Sequence, residues 1–322
     1  YIMALLYYSF DGNGWTERWN FLTPGIHECD WASPLLSDTD LDTNSTDNVL
    51  DDVEGAIVMN LNCSDDFSGG MQVITHLEFG ARNRMDGTIP TELHHLSQLQ
   101  SLQFSNNRIR GTIPSQLHNL SRLTRLIVSK TQITGILSPN LFGTIPIETE
   151  TQANNITSPT SMLSLNNNLS EIIPTSFFPA LEELVISENV NLEGPIPSTL
   201  SQHLSSTLKD LDLSKNTNLD GTIPFTFGAL TELKLLYLHD TKLTGTVPES
   251  FVNLTSLELL ELHNNALTGS LEFLCDAAEY NDAGIGFGSV DIQEMTADCS
   301  LKSRVELFGW SWQQCTCCTY CY

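Results

Sequence analysis

Five times in this chain the same short phrase returns in phase, at Gly87-Thr-Ile-Pro90, Gly111-Thr-Ile-Pro114, Gly194-Pro-Ile-Pro197, Gly221-Thr-Ile-Pro224 and Gly245-Thr-Val-Pro248, and a stray copy falls at Gly143-Thr-Ile-Pro146. The prolines mark a period. Pro90 to Pro114 is 24 residues, as is Pro224 to Pro248, while Pro174 to Pro197 is 23 and Pro197 to Pro224 is 27. A repeat of this length predicts a solenoid, in which each unit buries its apolar face only against its neighbours. Such a body is normally a surface for holding something.

Each phrase has the same lead-in. Leu99, Leu102, Phe104, Asn107, Ile109, Gly111, Ile113 and Pro114 make one unit. Leu257, Leu260, Leu262, Asn265, Leu267, Gly269 and Leu271 make another, with Glu272 where proline is expected. These positions resemble the leucine-rich repeat in its plant-type version, and the match runs from about Ile74 to Leu271. The resemblance implies an α/β-type repeat solenoid: a right-handed superhelix with a parallel β-sheet on its concave face and disulfide-stapled caps.

The residues argue the same way. Leu102-x-Phe104 and Leu211-x-Leu213 alternate apolar with polar, as short half-buried strands do. Stacked one per repeat, they make an interior continuous along the axis. Asn107, Asn189, Asn216 and Asn265 recur just after the strand, where an amide can bond the backbone groups that a turn frees. Thr131 and Thr241 replace the asparagine in two repeats, so the ladder should weaken there.

Lys and Arg total 14 against 39 Asp and Glu, a net charge of −25. That charge opposes binding to nucleic acid or to an anionic membrane and favours a solvated surface. No apolar run reaches the length of a membrane span. The opening Tyr1-Ile-Met-Ala-Leu-Leu-Tyr-Tyr has neither a basic start nor a cleavage site, and reads as a mature N-terminus whose signal peptide has gone.

Of eight cysteines, Cys29 and Cys63 precede the repeats, and Cys275, Cys299, Cys315, Cys317, Cys318 and Cys321 follow them. That distribution predicts disulfide-bonded caps in an oxidising compartment. A zinc reading of Cys315-x-Cys-Cys-x-x-Cys321 stands beside it, without a paired histidine motif in support. Asn44, Asn62, Asn119, Asn155, Asn168 and Asn253 lie in glycosylation sequons. Asn119 and Asn253 each fall five residues after a repeat proline, in one phase of the repeat where a glycan would not block stacking.

Residues 1–72 read as an N-terminal cap, with a short helix over Ile2 to Tyr8, a cover of Trp15, Trp19 and Trp31, and a polar loop from Ser37 to Asp52. The cap is similar to those preceding secreted leucine-rich repeats. That resemblance implies a Cys29–Cys63 bond bracketing a first strand near Ala56 to Leu61. Residues 73–272 read as about eight repeats, the first carrying an extra residue near Gly80 to Asn83. Pro114 to Pro174 is 60 residues, so a loop insertion or one worn repeat falls near 138–160. Residues 273–322 form a Cys-rich C-terminal cap, whose ending is similar to that of secreted leucine-rich repeat proteins of diatoms and related algae. Six cysteines there allow fifteen pairings.

In the resembled family, ligands usually bind the concave strand face. The repeat register predicts its outward columns: Ser101, Arg125, Glu183, Asp210, Leu235 and Leu259; Gln103, Ile127, Val185, Asp212, Tyr237 and Glu261; and Ser105, Ser129, Ser187, Ser214, His239 and His263. Asp212, Leu235, Tyr237, His239, Leu259, Glu261 and His263 form the candidate partner-binding patch, apolar at its centre and rimmed by charge, with Asp240 beside them. Strands lie about 5 Å apart, so both histidines reach one ion. An open, wet face should not shift a pKa, however, and neither a metal nor a cofactor is expected. No nucleophile triad, phosphate-cradling loop or kinase signature occurs, so an enzyme is not expected either.

The function expected is extracellular recognition or adhesion, with a protein or a glycan as partner and N-linked glycans on the chain. The alternatives are a subunit of an extracellular coat, filament or appendage, bound to copies of itself or to other coat proteins, and an inhibitor of a secreted hydrolase.

Overall fold

The computed structural model describes residues 1–15, 22, 29, 59–65, 72–80, 83–142, 178–274, 292–298, 313–314 and 318–321. Ten strands form one sheet in chain order: β1 (Met59–Asp65), β2 (Gln72–Phe79), β4 (Ser101–Ser105), β6 (Arg125–Ser129), β8 (Glu183–Val185), β10 (Asp210–Asp212), β12 (Leu235–Tyr237), β14 (Leu259–Glu261), β16 (Glu294–Ala297) and β18 (Tyr320–Cys321). Smaller sheets form a second side: β3 (Asp86–Thr88), β5 (Arg108–Gly111) and β7 (Gln132–Ile133); β9 (Glu193–Pro195) and β11 (Asn218–Asp220); β13 (Thr244–Thr246), β15 (Ala266–Ser270) and β17 (Gln313–Gln314). The third side stacks short 3-10 helices such as Thr91–His95, Ser115–Asn119, Phe225–Ala229 and Glu249–Asn253. From β2 onward every pairing in the main sheet is parallel. This is the leucine-rich repeat solenoid expected, with its sheet on the concave face.

The inward leucines meet rung by rung. Leu77, Leu102, Leu126, Leu184, Leu211, Leu236 and Leu260 pair in register and are fully buried. Each such side chain contributes about 1.5–3 kcal/mol by leaving water, and none could do so without the rung above or below. Pro90, Pro114, Pro224 and Pro248 hold an extended backbone directly before a 3-10 helix, which uses their fixed φ to redirect the chain. Gly111 and Gly245 sit at φ 79° and 77°, and a Cβ on either would lie 3.1 Å from the methyl of Thr88 or Thr222 in the preceding repeat. The glycine therefore permits both a left-handed bend and close stacking.

The asparagine ladder forms. The amide nitrogen of Asn189 donates to Val128 O at 2.7 Å and Ser187 O at 2.9 Å, while its oxygen accepts from Thr131 N at 3.0 Å. Asn216 donates to Ile186 O and Leu213 O at 2.6 and 2.7 Å, and accepts from Asn189 N at 2.9 Å. At the threonine rungs the hydroxyls lean on the next asparagine, Thr131 on Asn189 and Thr241 on Asn265.

The N-terminal helix α1 (Ile2–Ser9) and the segment after it close one end of the core. The Phe10 ring lies edge-on to Phe104 at 5.2 Å, Phe104 stacks on Phe79 at 5.8 Å, and the indole N–H of Trp15 donates to Phe10 O at 2.7 Å. Trp19, Trp31 and the expected loop from Ser37 to Asp52 lie outside the described residues. Cys29 and Cys63 are joined, with Cα atoms 5.8 Å apart. Of the strand expected at Ala56 to Leu61, residues 56–58 lie outside the described residues; the described strand Met59–Asp65 includes the rest and runs on past Cys63, which lies within it rather than beyond it. This strand runs antiparallel to β2, because it belongs to the cap and not to the one-strand-per-repeat stack.

His76 pairs with Ser101 and Ser101 with Arg125, so the first repeat is one residue longer than the second, as expected. Arg125 then pairs with Glu183, and Thr131 reaches Asn189. No rung of the main sheet stands between these two, although 58 residues separate them; the bulk of the expected insertion lies outside the described residues. Beyond Leu271 the sheet continues through β16 and β18, two strands that the loss of sequence periodicity did not announce.

Candidate functional site

The strand pairings place the outward residues as the register predicts. Leu235 lies beside Leu259, Tyr237 beside Asp212 and Glu261, and Asp210 beside Glu183 and Leu235. Within each strand the middle residue is buried and its two neighbours are half-buried, so Asp212, Leu235, Tyr237, Leu259 and Glu261 all face outward. His239 and His263 follow in the next column with their rings stacked, centroids 4.7 Å apart and 9° from parallel. The seven candidate residues form one continuous patch over three rungs.

The electrostatics of this patch depart from the expectation of an unperturbed wet face. Asp210 is pushed up to about 7 by burial, with Glu183 and Asp212 adding repulsion, and one of its carboxyl oxygens is buried without a hydrogen-bond partner. The phenol of Tyr237 is raised to about 12, first by burial and then by Asp210, Glu261 and Asp212, so it stays a donor at physiological pH. Glu261 is lowered by its contact with the His239 ring, whose Nδ1 lies 2.8 Å from Oε2. His263 is lowered by burial and by His239. The shift of Asp210 has a simple cause. In-register stacking sets carboxylates one strand spacing apart, and neighbouring side chains screen them from water.

Several residues of the patch lay outside the sequence argument. Asp210 was only an outward position, because what raises its pKa is first its burial and then Glu183 on the neighbouring strand. Thr296 and Asp298 follow the last recognisable repeat, yet Thr296 Oγ1 lies 2.8 Å from His263 Nδ1, and Asp298 accepts from the backbone N–H of Asn264 and Asn265 at 2.8 and 2.9 Å. Asp298 thus takes over the ladder position at the end of the solenoid. Its only signal in sequence was an acidic residue just before Cys299.

At the other end of the face the outward column is closed. Ser101 is 1 % exposed, Gln103 and Ile127 6 % each, and Glu78 4 %. Arg125 marks the border, its Nε donating to Glu183 at 2.6 Å and its Nη1 to Glu78 at 3.5 Å.

Of the sequons, Asn119 and Asn253 are both exposed and each ends an equivalent 3-10 helix on the third side. The side chain of Asn62, and all of Asn44, Asn155 and Asn168, lie outside the described residues. So do Cys275, Cys299, Cys315 and Cys317 and the side chain of Cys321; Cys318 is disulfide-bonded. Among the described residues no helix is long and apolar enough to cross a membrane.

Two stretches match family models described as leucine-rich repeat, residues 206–267 and 98–120. Together with the parallel sheet they define the architecture as a leucine-rich repeat solenoid. No curated protein matches the sequence. Similar solved structures include a plant peptide hormone receptor, RGFR1, in complex with RGF2, at 22% identity and TM-score 0.47, covering 67% of this chain and 28% of that one. The Arabidopsis receptor kinase HAESA, in complex with the peptide hormone IDA and the co-receptor SERK1, matches at 26% identity and TM-score 0.44, over 65% of this chain and 33% of that one. A plant ice-binding protein matches at 20% identity and TM-score 0.47, over 74% of this chain and 70% of that one. The chain spans about a third or less of the length of these two receptors.

Proposed function

We propose that this protein is a non-enzymatic extracellular recognition module that holds a protein or glycan partner on the C-terminal half of its concave face. The observation that carries the reading is the patch itself. Asp212, Leu235, Tyr237, Leu259, Glu261 and His263 stand half-buried and in register on adjacent rungs beside the buried His239, with leucines and an aromatic ring at the centre and acids around them. A protonated phenol among carboxylates and an apolar strip match a partner that presents basic and apolar groups together. The rigid stack holds these groups in place before the partner arrives, which lowers the entropy lost on binding.

An extracellular setting is supported by the Cys29–Cys63 bond, by the disulfide at Cys318 and by the exposure of Asn119 and Asn253 in the same phase of the repeat. Glycans there would lie on the third side and leave the concave face clear.

The reading is tested by capture from the native source on immobilised protein, with bound material identified by mass spectrometry. Asp212→Lys with Glu261→Lys should abolish capture. The same reversal at Glu193 and Asp220, on the second side, should leave it intact. Capture that survives the concave reversal rejects the site. Intact mass before and after glycosidase treatment checks the sequons.

A further inference from the structure

We propose that His239, Glu261 and His263 bind one divalent transition-metal ion of the zinc class. The three residues come from two neighbouring rungs, and each offers a ligand atom within 4.8 Å of the other two. Two imidazoles and a carboxylate are a donor set that zinc takes readily, at about 2.0–2.2 Å from nitrogen or oxygen. The stacked rings, 4.7 Å apart, need a modest tilt to converge on one ion. Three protein ligands leave a fourth position open towards solvent.

Details around the cluster favour a cation. Nδ1 of His239 is buried and faces Glu261 Oε2 at 2.8 Å. A ring nitrogen and a carboxylate so placed are suited to an ion between them. The contact of His263 Nδ1 with Thr296 Oγ1 at 2.8 Å orients that ring, as an outer partner does for a metal-bound imidazole. Asp240 Oδ2 stands 3.8 Å from Nε2 of His239, and its other oxygen accepts from Asn264 at 2.7 Å. Glu261, Asp240 and Asp298 stand near His263 and supply negative charge around the cluster. The proposal concerns the isolated protein and does not depend on the recognition reading.

The test is calorimetric titration of the disulfide-intact chain with zinc chloride, followed by chelator. One equivalent should bind and be released by chelation, and cobalt(II) in its place should give visible bands of nitrogen and oxygen ligation. His263→Ala and Glu261→Gln should each weaken zinc binding at least tenfold, with the metal-free melting temperature retained within a few degrees. The double variant His94→Ala/His95→Ala, which removes a close-set, tilted pair of rings on a 3-10 helix of the third side, should bind as the parent does. Absence of zinc binding at micromolar concentration, or undiminished binding by His263→Ala, overturns the site. Neither result bears on whether the face captures a partner.

Discussion

Gln103 and Ile127 are shut from solvent, whereas Val185, Asp212, Tyr237 and Glu261, further along the same outward column, are half-exposed. The backbone geometry is the same in both regions: parallel strands in matched register, with buried leucines between. Position in the repeat therefore sets the direction of a side chain but not its contact with water. The N-terminal region uses its face for closure, with aromatics packed behind it at Phe10, Phe79 and Phe104. The C-terminal region leaves its face available and fills it with acids, a phenol and two imidazoles. Arg125, tied to Glu78 on one side and Glu183 on the other, stands where one regime changes to the other.

The largest effect should come from Phe104→Ala. The ring is fully buried between Phe10 and Phe79, and its loss should cost about 3–5 kcal/mol in chemical denaturation. A cost below about 1 kcal/mol would mean that the N-terminal region is not packed as described. Asn216→Ala should cost about 2–3 kcal/mol, because it strands Asn189 N and two backbone carbonyls. Thr241→Ala, at a rung with a thinner ladder, should cost about 1 kcal/mol. Equal costs would remove the distinction between asparagine and threonine rungs.

Asp210 sharpens the comparison by pH. An acid whose pKa rises from 3.8 unfolded to about 7 folded binds more protons in the native state, so stability falls as pH climbs through that window. Asp210→Asn should be neutral near pH 4 and stabilising by roughly 1–3 kcal/mol at pH 8, read from denaturation midpoints across pH. A pH-independent difference would place the effect elsewhere. The smallest effect belongs to the exposed pair Lys234–Glu258. Lys234→Ala should change stability by less than about 1 kcal/mol, and that difference should vanish in molar salt.

Much of this architecture was legible because repetition multiplies weak signals. Leu102, Leu211 and Leu260 each say little alone, but at one phase of a recurring phrase they mark the buried column. Asn107 and Asn216 were legible as ladder residues for the same reason. The left-handed turns at Lys130, Glu188 and Lys215 gave no such signal, since those residue types rarely adopt positive φ. They are held there by the ladder asparagine or threonine that follows each. The antiparallel pairing of the first strand and its run past Cys63 gave no signal, because a cap strand lies outside the repeat and the period carries no information about it.

The histidines and acids of the patch could be set side by side from their numbers alone. Their state could not. The protonation of Asp210, the stacking of His239 on His263 and the support from Thr296 and Asp298 depend on distances between segments far apart in the chain. By itself, the amino-acid order determined the period, the buried leucine column and the facing of every outward residue, since periodicity follows from backbone geometry. Only the tertiary structure decided which part of that face is closed, which carboxyl is pushed towards neutrality, and where the tail joins the stack. Solvation and Coulomb forces depend on what surrounds a group in space, and spacing along a chain does not record that.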